Sequence, residues 1–546
     1  MKCNNLRVRA AKKPILFALL AALAIEQAAS AQIKSDTIRE VTTTLSSKEM
    51  EGRGMAQPGG ERAAKYLADK FAKAGLKPLG GDSSYQQQIK VEVQTLMPDT
   101  QLKVGGNTFR FKQDFGMAQP ANTELKEVSG TIAFVGYGIV SAELKRDDLA
   151  NVEVKDRIVM VLSGKPKGVN ATLWNKESAQ RVVFGRLIKR GAAGFIVVYD
   201  GDQARFQTAA SLISNRSVSL SEPIKRTTLP ARWSLELLAD EFKLPPSVLI
   251  SESAAEKIFA GRSESFAEIK RKAELGQFIS RPLEETALIS PHVKYEHGTT
   301  SNVIGMIEGS DPKLKHEAVV YTAHYDAFGI DTEGNIYAGA ADNALGVGKL
   351  AALADAFAKL TTRPRRSIIF IATTGEEYGD LGAEYWLQHP TFPLTEIAAD
   401  INFDGSVLEV WGKLAFLLDV GFDLSDLNQT VQSVAAASDI EIYPDPVPEE
   451  GFFYRSDHYA FIKKGIPSLF LLGGPAMNPN VLFARAKEWQ EERYHTPADL
   501  IQADWNWDGA AMLASFALAA GTRIANQEKM PDWKPGSPYS RPITSK

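Results

Sequence analysis

The chain has 546 residues, of which 44% are hydrophobic and 23% charged, with a formal net charge of −4. This is ordinary globular composition for two or three domains, which excludes disordered and fibrous classes. A mildly acidic chain with no basic run is a poor binder of nucleic acid, so no nucleic-acid partner is expected.

At the N-terminus, Lys2, Arg7, Arg9, Lys12 and Lys13 precede the apolar run from Pro14 to Ile25, and Ala29-Ser30-Ala31 offers a small-residue cleavage site. The pattern predicts a signal peptide over residues 1–31, cleaved after Ala31, and with it a periplasmic or secreted protein. The apolar run is shorter than the roughly 20 residues needed to span a bilayer, and no later stretch qualifies, so no stable membrane anchor is expected. Losing five basic residues and Glu26 with the leader would move the formal charge from −4 to −8. The only cysteine, Cys3, lies inside the leader. The mature chain then has no disulfide and no thiol nucleophile, and its stability must rest on core size and bound metal.

From Ser35 to Leu76 the apolar spacing is helical and predicts two helices, joined by the glycine-rich loop MEGRGMAQPGG, which reads as a plain connector. Between about Val93 and Val293 short apolar runs such as Gly130 to Val135 and Arg157 to Leu162 predict a strand-rich module. Within it, SAQRVVFGRLIKRGAAGFIVVYD reads as one amphipathic helix, a stop at Gly191 and a buried strand from Gly194 to Tyr199. No histidine occurs between Gln94 and Pro291, so no metal ligands are expected there. After Thr300, strands and helices alternate in the α/β manner. Strands are predicted at Asn302–Ile307, Ala318–Ala323, Ser367–Ala372, Ala399–Phe403 and Pro467–Leu472. Helices are predicted at Leu345–Leu360, Ala383–Gln388, Leu427–Ala437 and Trp507–Ala525. A Pro-rich tail after Met530 wraps or trails on the surface.

The chemistry concentrates between Val319 and Leu345, where His324, Asp326 and Asp342 fall in one glycine-punctuated span. An apolar strand ends at His324, and Asp342 stands just before a helical pattern, so loop side chains can converge. Imidazole and carboxylate are the usual ligands of a catalytic zinc, and Asp326 could hold the other ring nitrogen of His324. On this span alone, a satisfied loop histidine with an N-capping aspartate accounts for the pattern equally well. Further strand ends add Glu376 and Glu377 in SIIFIATTGEE, Asp404 in AADINFDG, and His495 in EERYHTPAD. Adjacent carboxylates on an extended strand or turn point in different directions, so one of Glu376 and Glu377 can bind metal while the other handles protons. In HTPAD, Thr496 and Asp499 are expected to cap a helix with Pro497 at its first position.

Taken together, HYD, AADNALG, TTGEE, INFDG, RSDH and YHTPAD follow in the order and rough spacing of the co-catalytic zinc aminopeptidases, family twenty-eight of the metallopeptidases, and the chain resembles that family. The segment LSSKEMEGRGMAQPGGERAA resembles the opening of its secreted bacterial members, and the middle module looks like their protease-associated insert. The resemblance implies an α/β zinc-exopeptidase fold with a mixed central sheet flanked by helices. Residues 32–92 and 294–530 would form the catalytic domain, 93–293 the strand-rich protease-associated insert, and 531–546 the tail. It further implies two zinc ions, with His324 and Asp404 on one, Glu377 and His495 on the other, and Asp342 bridging both. Glu376 is then the general base, Asp326 orients His324, and Ser456 of RSDH supports His495. A cis peptide between Asp342 and Asn343 is implied as well. Where some family members place a phenol, this chain has Phe453, with Tyr454 beside it. His458 is open between structure and function, and His292, His297, His316 and His389 read as surface or loop residues. The implied reaction is hydrolysis of the N-terminal peptide bond of substrates with a free N-terminus. Similar sites support carboxypeptidases and glutaminyl cyclases. A receptor-like binding protein on the same fold is disfavoured, because every expected ligand is present.

Overall fold

A computed structural model describes residues 33–119, 125–222, 244–277, 280–405, 407–448 and 451–542. The leader expected over residues 1–31 lies outside them. The chain divides into two units, one running to Lys90 and resuming at Thr299, the other formed mainly by Val91–Ser221 and Pro230–Gly298.

The second unit is built on an eight-stranded sheet whose centre is four parallel strands, Val128–Phe134, Ile158–Leu162, Gly194–Val198 and Ser247–Ile250. Every residue of Ile158–Leu162 is buried, as befits an unbroken apolar run in a sheet covered on both faces. The unit carries more helix than the single one read from the sequence: Ala171–Ser178, Gln180–Lys189, Gln203–Ile213, Glu252–Phe259 and Phe266–Glu274. Four of these follow a residue whose side chain accepts a first-turn N–H, namely Asn170, Asp202, Ser251 and Ser265. Those caps were the available sequence signal.

In the first unit, helices α1 (Ser35–Leu45) and α2 (Pro58–Lys73) flank the glycine-rich connector. Strands β1 (Val293–Ile307), β2 (Ala318–His324), β3 (Ser367–Thr373), β4 (Ile397–Asn402) and β5 (Ser468–Phe470) follow, with helices α3 (Leu345–Ala358), α4 (Leu381–Gln388), α5 (Leu427–Ser438), α6 (Asp457–Lys463), α7 (Pro479–Glu492) and α8 (Asp508–Asn526). The strands lie in the order β1-β3-β2-β4-β5. The β1–β3 pair is antiparallel and the others are parallel, giving a mixed sheet. Strands β2, β3 and β4 are buried at every position, and α8 packs closely against β2. The Tyr321 hydroxyl donates to the Ala517 carbonyl at 2.8 Å, and a Cβ on Gly521 would meet that hydroxyl at 1.8 Å.

One departure from expectation has a simple cause. Helix α7 has no buried residue, so apolar spacing did not announce it; only Asn478 capping a helix that starts at Pro479 did. Of the two courses open to the tail, its described part wraps: Trp533 Nε1 donates to the Gly465 carbonyl at 2.9 Å and Arg541 Nη1 to that of Ala398 at 3.1 Å.

From β2 the chain passes to β3 on one side, then crosses to β4 on the other. The C-terminal ends of these three strands therefore open at a topological switch point, where open α/β sheets gather their ligands.

Candidate metal centre

Strand β2 ends on His324, Glu376 and Glu377 follow β3, and Asp404 follows β4, so the sheet delivers four of the predicted residues to one place. Asp342 arrives on the loop before α3, whose peptide bond to Asn343 is cis, as the resemblance implies. His495 comes from the stretch after α7.

These residues form two groups of three, His324 with Asp342 and Asp404, and Asp342 with Glu377 and His495; within each group the donor atoms lie within 4.8 Å of one another. His324 Nε2 is 2.9 Å from Asp404 Oδ1 and 3.3 Å from Asp342 Oδ1. His495 Nε2 is 3.1 Å from Glu377 Oε2 and 3.2 Å from Asp342 Oδ2. Asp342 thus turns one oxygen to each group. Glu376 belongs to neither group; its Oε2 is 3.9 Å from His324 Nε2.

The electrostatics fit a site that holds cations. Burial alone would lower the His324 imidazole, yet Asp404, Asp326 and Asp342 hold it well above its ordinary range. Burial likewise opposes charge on His495, but Glu377 and Asp342 keep it up at about 10. Burial pushes Glu377 up to about 7, and burial with the nearby Asp404 raises Glu376 well above the usual carboxylate range. Asp342 stays low despite burial, because both imidazoles face it. The close charged partners of Asp342, Glu377 and Asp404 among the described residues are the two histidines, with the buried Arg53 acting on Asp342 and Glu377 from further off. Three carboxylates and two imidazoles are oxygen and nitrogen donors of the kind zinc takes, and His324 Nδ1 is buried without a hydrogen bond.

Asp326 is fully buried on the Nδ1 side of His324, at 3.7 Å, longer than a hydrogen bond. Its Oδ1 instead accepts from the Glu376 backbone N at 3.3 Å. The Ser456 hydroxyl accepts from Asn402 Nδ2 at 2.7 Å, so it braces β4 and not His495. His458 is structural: its Nε2 donates to the Phe453 carbonyl at 2.9 Å and its ring stacks on Phe470. His292, His297, His316 and His389 are exposed.

The helix expected after Thr496 is absent. Thr496 only caps a turn, while the buried Asp499 carboxylate accepts from the backbone N of Ala341 and of Asp342, each at 3.0 Å. Asp499 therefore holds the loop that aims Asp342, and Asn343 ties the same loop to the Phe403 carbonyl at 2.9 Å. The glycine-rich connector is also more than a connector. Its Arg53 is wholly buried and donates to the carbonyls of Tyr325 (2.6 Å), Leu45 (2.7 Å), Ala338 (2.5 Å) and Gly339 (2.9 Å). Gly339 has φ of +53°, and a Cβ there would meet the Asp342 carbonyl oxygen at 2.3 Å, so only glycine suits that turn. The available signal for Arg53 was a lone arginine set between two glycines.

A cavity of about 180 Å³ opens beside Asp342, Glu376 and Asp404, with Val407, Leu408, Leu418, Phe470, Leu472 and Trp489 on its apolar walls. Tyr454 is not among its lining; it packs against Phe453 and Tyr459. The phenol that lines the cavity is Tyr494, stacked on His495 with ring centroids 3.7 Å apart.

Residues 302–520 match the model of peptidase family M28. That stretch is an M28 peptidase domain. Among curated proteins, a vacuolar membrane protease from Clavispora lusitaniae is 31% identical over 208 residues, covering 37% of this chain and 17% of that protein. A probable leucine aminopeptidase 2 from Aspergillus oryzae is 31% identical over 189 residues, covering 33% of this chain and 35% of the other. The chain thus spans a tenth to about a third of the length of these curated relatives. Two solved structures share the fold at low identity. An aminopeptidase from Aneurinibacillus sp. strain AM-1 has a TM-score of 0.57 at 16% identity, covering 95% of this chain and 100% of the other. A zinc aminopeptidase from Bacillus subtilis has a TM-score of 0.53 at 17% identity, covering 93% and 98%. The expected periplasmic or secreted location is corrected by the curated relatives, most of which are named vacuolar membrane proteases. Among the described residues no helix is long and apolar enough to cross a membrane.

Proposed function

We propose that this protein is a zinc-dependent aminopeptidase that binds two zinc ions and removes N-terminal residues from peptides. The observation that carries the reading is the pair of donor groups sharing Asp342, with Glu376 beside them and in neither. His324 and Asp404 would hold one ion and Glu377 and His495 the other, with Asp342 shared between the two groups. Ions so placed supply Lewis acidity at the scissile carbonyl and lower the pKa of a water. Glu376 accepts the proton of the attacking water on its carboxylate and returns it to the leaving amine. Asp326 presents its carboxylate on the Nδ1 side of His324, while Asp499 and Arg53 keep the Asp342 loop in place. The apolar cavity receives the side chain of the N-terminal residue and excludes water from it.

In this reading residues 32–92 and 294–530 form the catalytic domain and 93–293 a protease-associated insert that supplies no ligand. The relatives named as aminopeptidases support the same assignment. A panel of peptides tests it. Free peptides should lose one N-terminal residue at a time, and N-acetylated versions should resist. Equal hydrolysis of both would overturn the reading, and release from the C-terminus would favour a carboxypeptidase.

A further inference from the structure

Among the described residues lining the cavity, Arg455 is the one cation, facing a space that also carries Asp342, Glu376 and Asp404. Other largely buried cations of the first unit have anionic or carbonyl partners: Lys349 pairs with Glu409, Lys463 with Glu384 and Arg366 with Glu317, while Arg53 donates to four backbone carbonyls. Arg455 is half-buried and differs. Its contacts are with neutral groups, the Tyr494 hydroxyl 3.5 Å from Nη2 and the ring of Phe452 with its centroid 5.8 Å from the guanidinium carbon. A partly desolvated guanidinium aimed into a cavity, with no anion paired to it among the described residues, is a receptor for one, and its planar fork matches a carboxylate in two parallel hydrogen bonds.

Resting on the aminopeptidase reading of the site, we propose that Arg455 binds the terminal carboxylate of a dipeptide whose N-terminal side chain fills the apolar cavity, so that dipeptides are the preferred substrates. The spacing supports this. Tyr494 carries Arg455 at its hydroxyl and stacks its ring on His495, so one aromatic ring separates the guanidinium from a residue assigned to the zinc pair. In a dipeptide the carboxylate lies one residue beyond the scissile carbonyl, and consecutive residues are about 3.8 Å apart. In a longer peptide a neutral amide would stand at that distance, with nothing to offer the guanidinium but a carbonyl oxygen. The walls around Arg455, from Leu418 to Trp489, are apolar; they suit an uncharged N-terminal side chain and leave the peptide's own terminus as the source of negative charge.

The test compares Leu-Ala, Leu-Ala amide, Leu-Ala-Ala-Ala and Asp-Ala amide as substrates of the zinc-loaded full chain and its Arg455→Met and Arg455→Lys variants. The parent should favour Leu-Ala over its amide by about tenfold or more in kcat/KM, the size of one charge-assisted hydrogen bond. That ratio should fall towards one in Arg455→Met, mainly through KM, and recover in part in Arg455→Lys. Calorimetry of Leu-Ala binding to the Glu376→Gln protein, with and without Arg455→Met, should show the same loss of affinity without turnover. A parent that treats Leu-Ala and its amide alike overturns the proposal, as does an Arg455-dependent preference confined to Asp-Ala amide, which would assign the guanidinium to a side-chain carboxylate. If the parent hydrolyses none of these peptides, the aminopeptidase reading fails. The calorimetry then decides the anchor alone, with equal affinities in the two backgrounds rejecting it.

Discussion

Strand β2 of the first unit and the strand Ile158–Leu162 of the second are buried along their whole length, and each lies between two parallel neighbours. The second runs out into Ser163, whose hydroxyl accepts from the Asp200 backbone N at 2.8 Å. The first ends on His324, with Asp342, Glu376, Asp404 and Asp326 all within 4 Å of its ring nitrogens. Charges in the second unit are matched where they stand: Asp114 faces Arg110 and Lys257, and Lys270 faces Asp200 and Glu252. The same strand physics therefore builds both sheets. What separates them is a trio of carboxylates, Asp342, Glu377 and Asp404, whose close charged partners among the described residues are two imidazoles, a deficit of positive charge that bound cations would fill.

The widest gap between the two regions should appear in turnover. Glu376→Gln should lower the rate by about 10²–10⁴ while metal content holds, and Glu377→Gln should lose metal together with rate. Asp114→Asn, which removes a carboxylate of the second unit, should leave turnover at the wild-type level. Comparable losses from Asp114 and Glu376 in peptide-release assays would erase the distinction.

A smaller effect concerns stability. Arg53→Met leaves four buried carbonyls without their donor and should cost about 3–5 kcal/mol, since each buried acceptor left unsatisfied costs about 1–3 kcal/mol before relaxation. Lys270→Met removes partly exposed ion pairs and should cost about 1 kcal/mol or less. Denaturant unfolding of the two variants measures both, and equal losses would contradict the contrast between buried staple and surface pair.

The last contrast is a pH dependence of opposite sign in the two units. Burial pushes the Asp400 carboxyl on β4 up to about 7, against the hydrogen bonds from Ser468 and Thr322. The unfolded carboxyl ionises near about 3.9, so the folded state holds an extra proton between these values. Its contribution is complete at low pH and is lost as pH rises towards about 7. Asp114 is opposed by burial, but Arg110 and Lys257 hold it low, so its contribution is present at neutral pH and lost as pH falls. Unfolding measured across the acid-to-neutral range should show Asp400→Asn flattening the first slope and Asp114→Asn the second. An unchanged slope in Asp400→Asn would refute the assignment.

The proposed ligands were legible in the sequence because they stand in motif order along the chain, with His324, Glu377 and Asp404 at or just past the end of a buried strand. The residues that hold them were not. Arg53 meets Ala338 across 285 positions and Asp499 meets Ala341 across 158, separations that no local pattern records. Asp499 also mimicked a helix cap, since a carboxylate that accepts two successive backbone N–H groups serves a loop as readily as a first turn. Tyr494 and Arg455 sat inside recognised motifs, as the first residues of YHTPAD and RSDH, but their facing a cavity depends on packing. Helix α7 carries its apolar residues exposed or half-buried, among them Val481 at 55% and Phe483 at 48%, so it lacked the buried stripe by which a helix announces itself.

The central claim is that two cations share Asp342. Elemental analysis of the purified chain, with Asp342→Asn alongside, tests it most directly. The account predicts close to two zinc ions per chain and their loss in the variant; a metal-free preparation with full peptidase activity would contradict it.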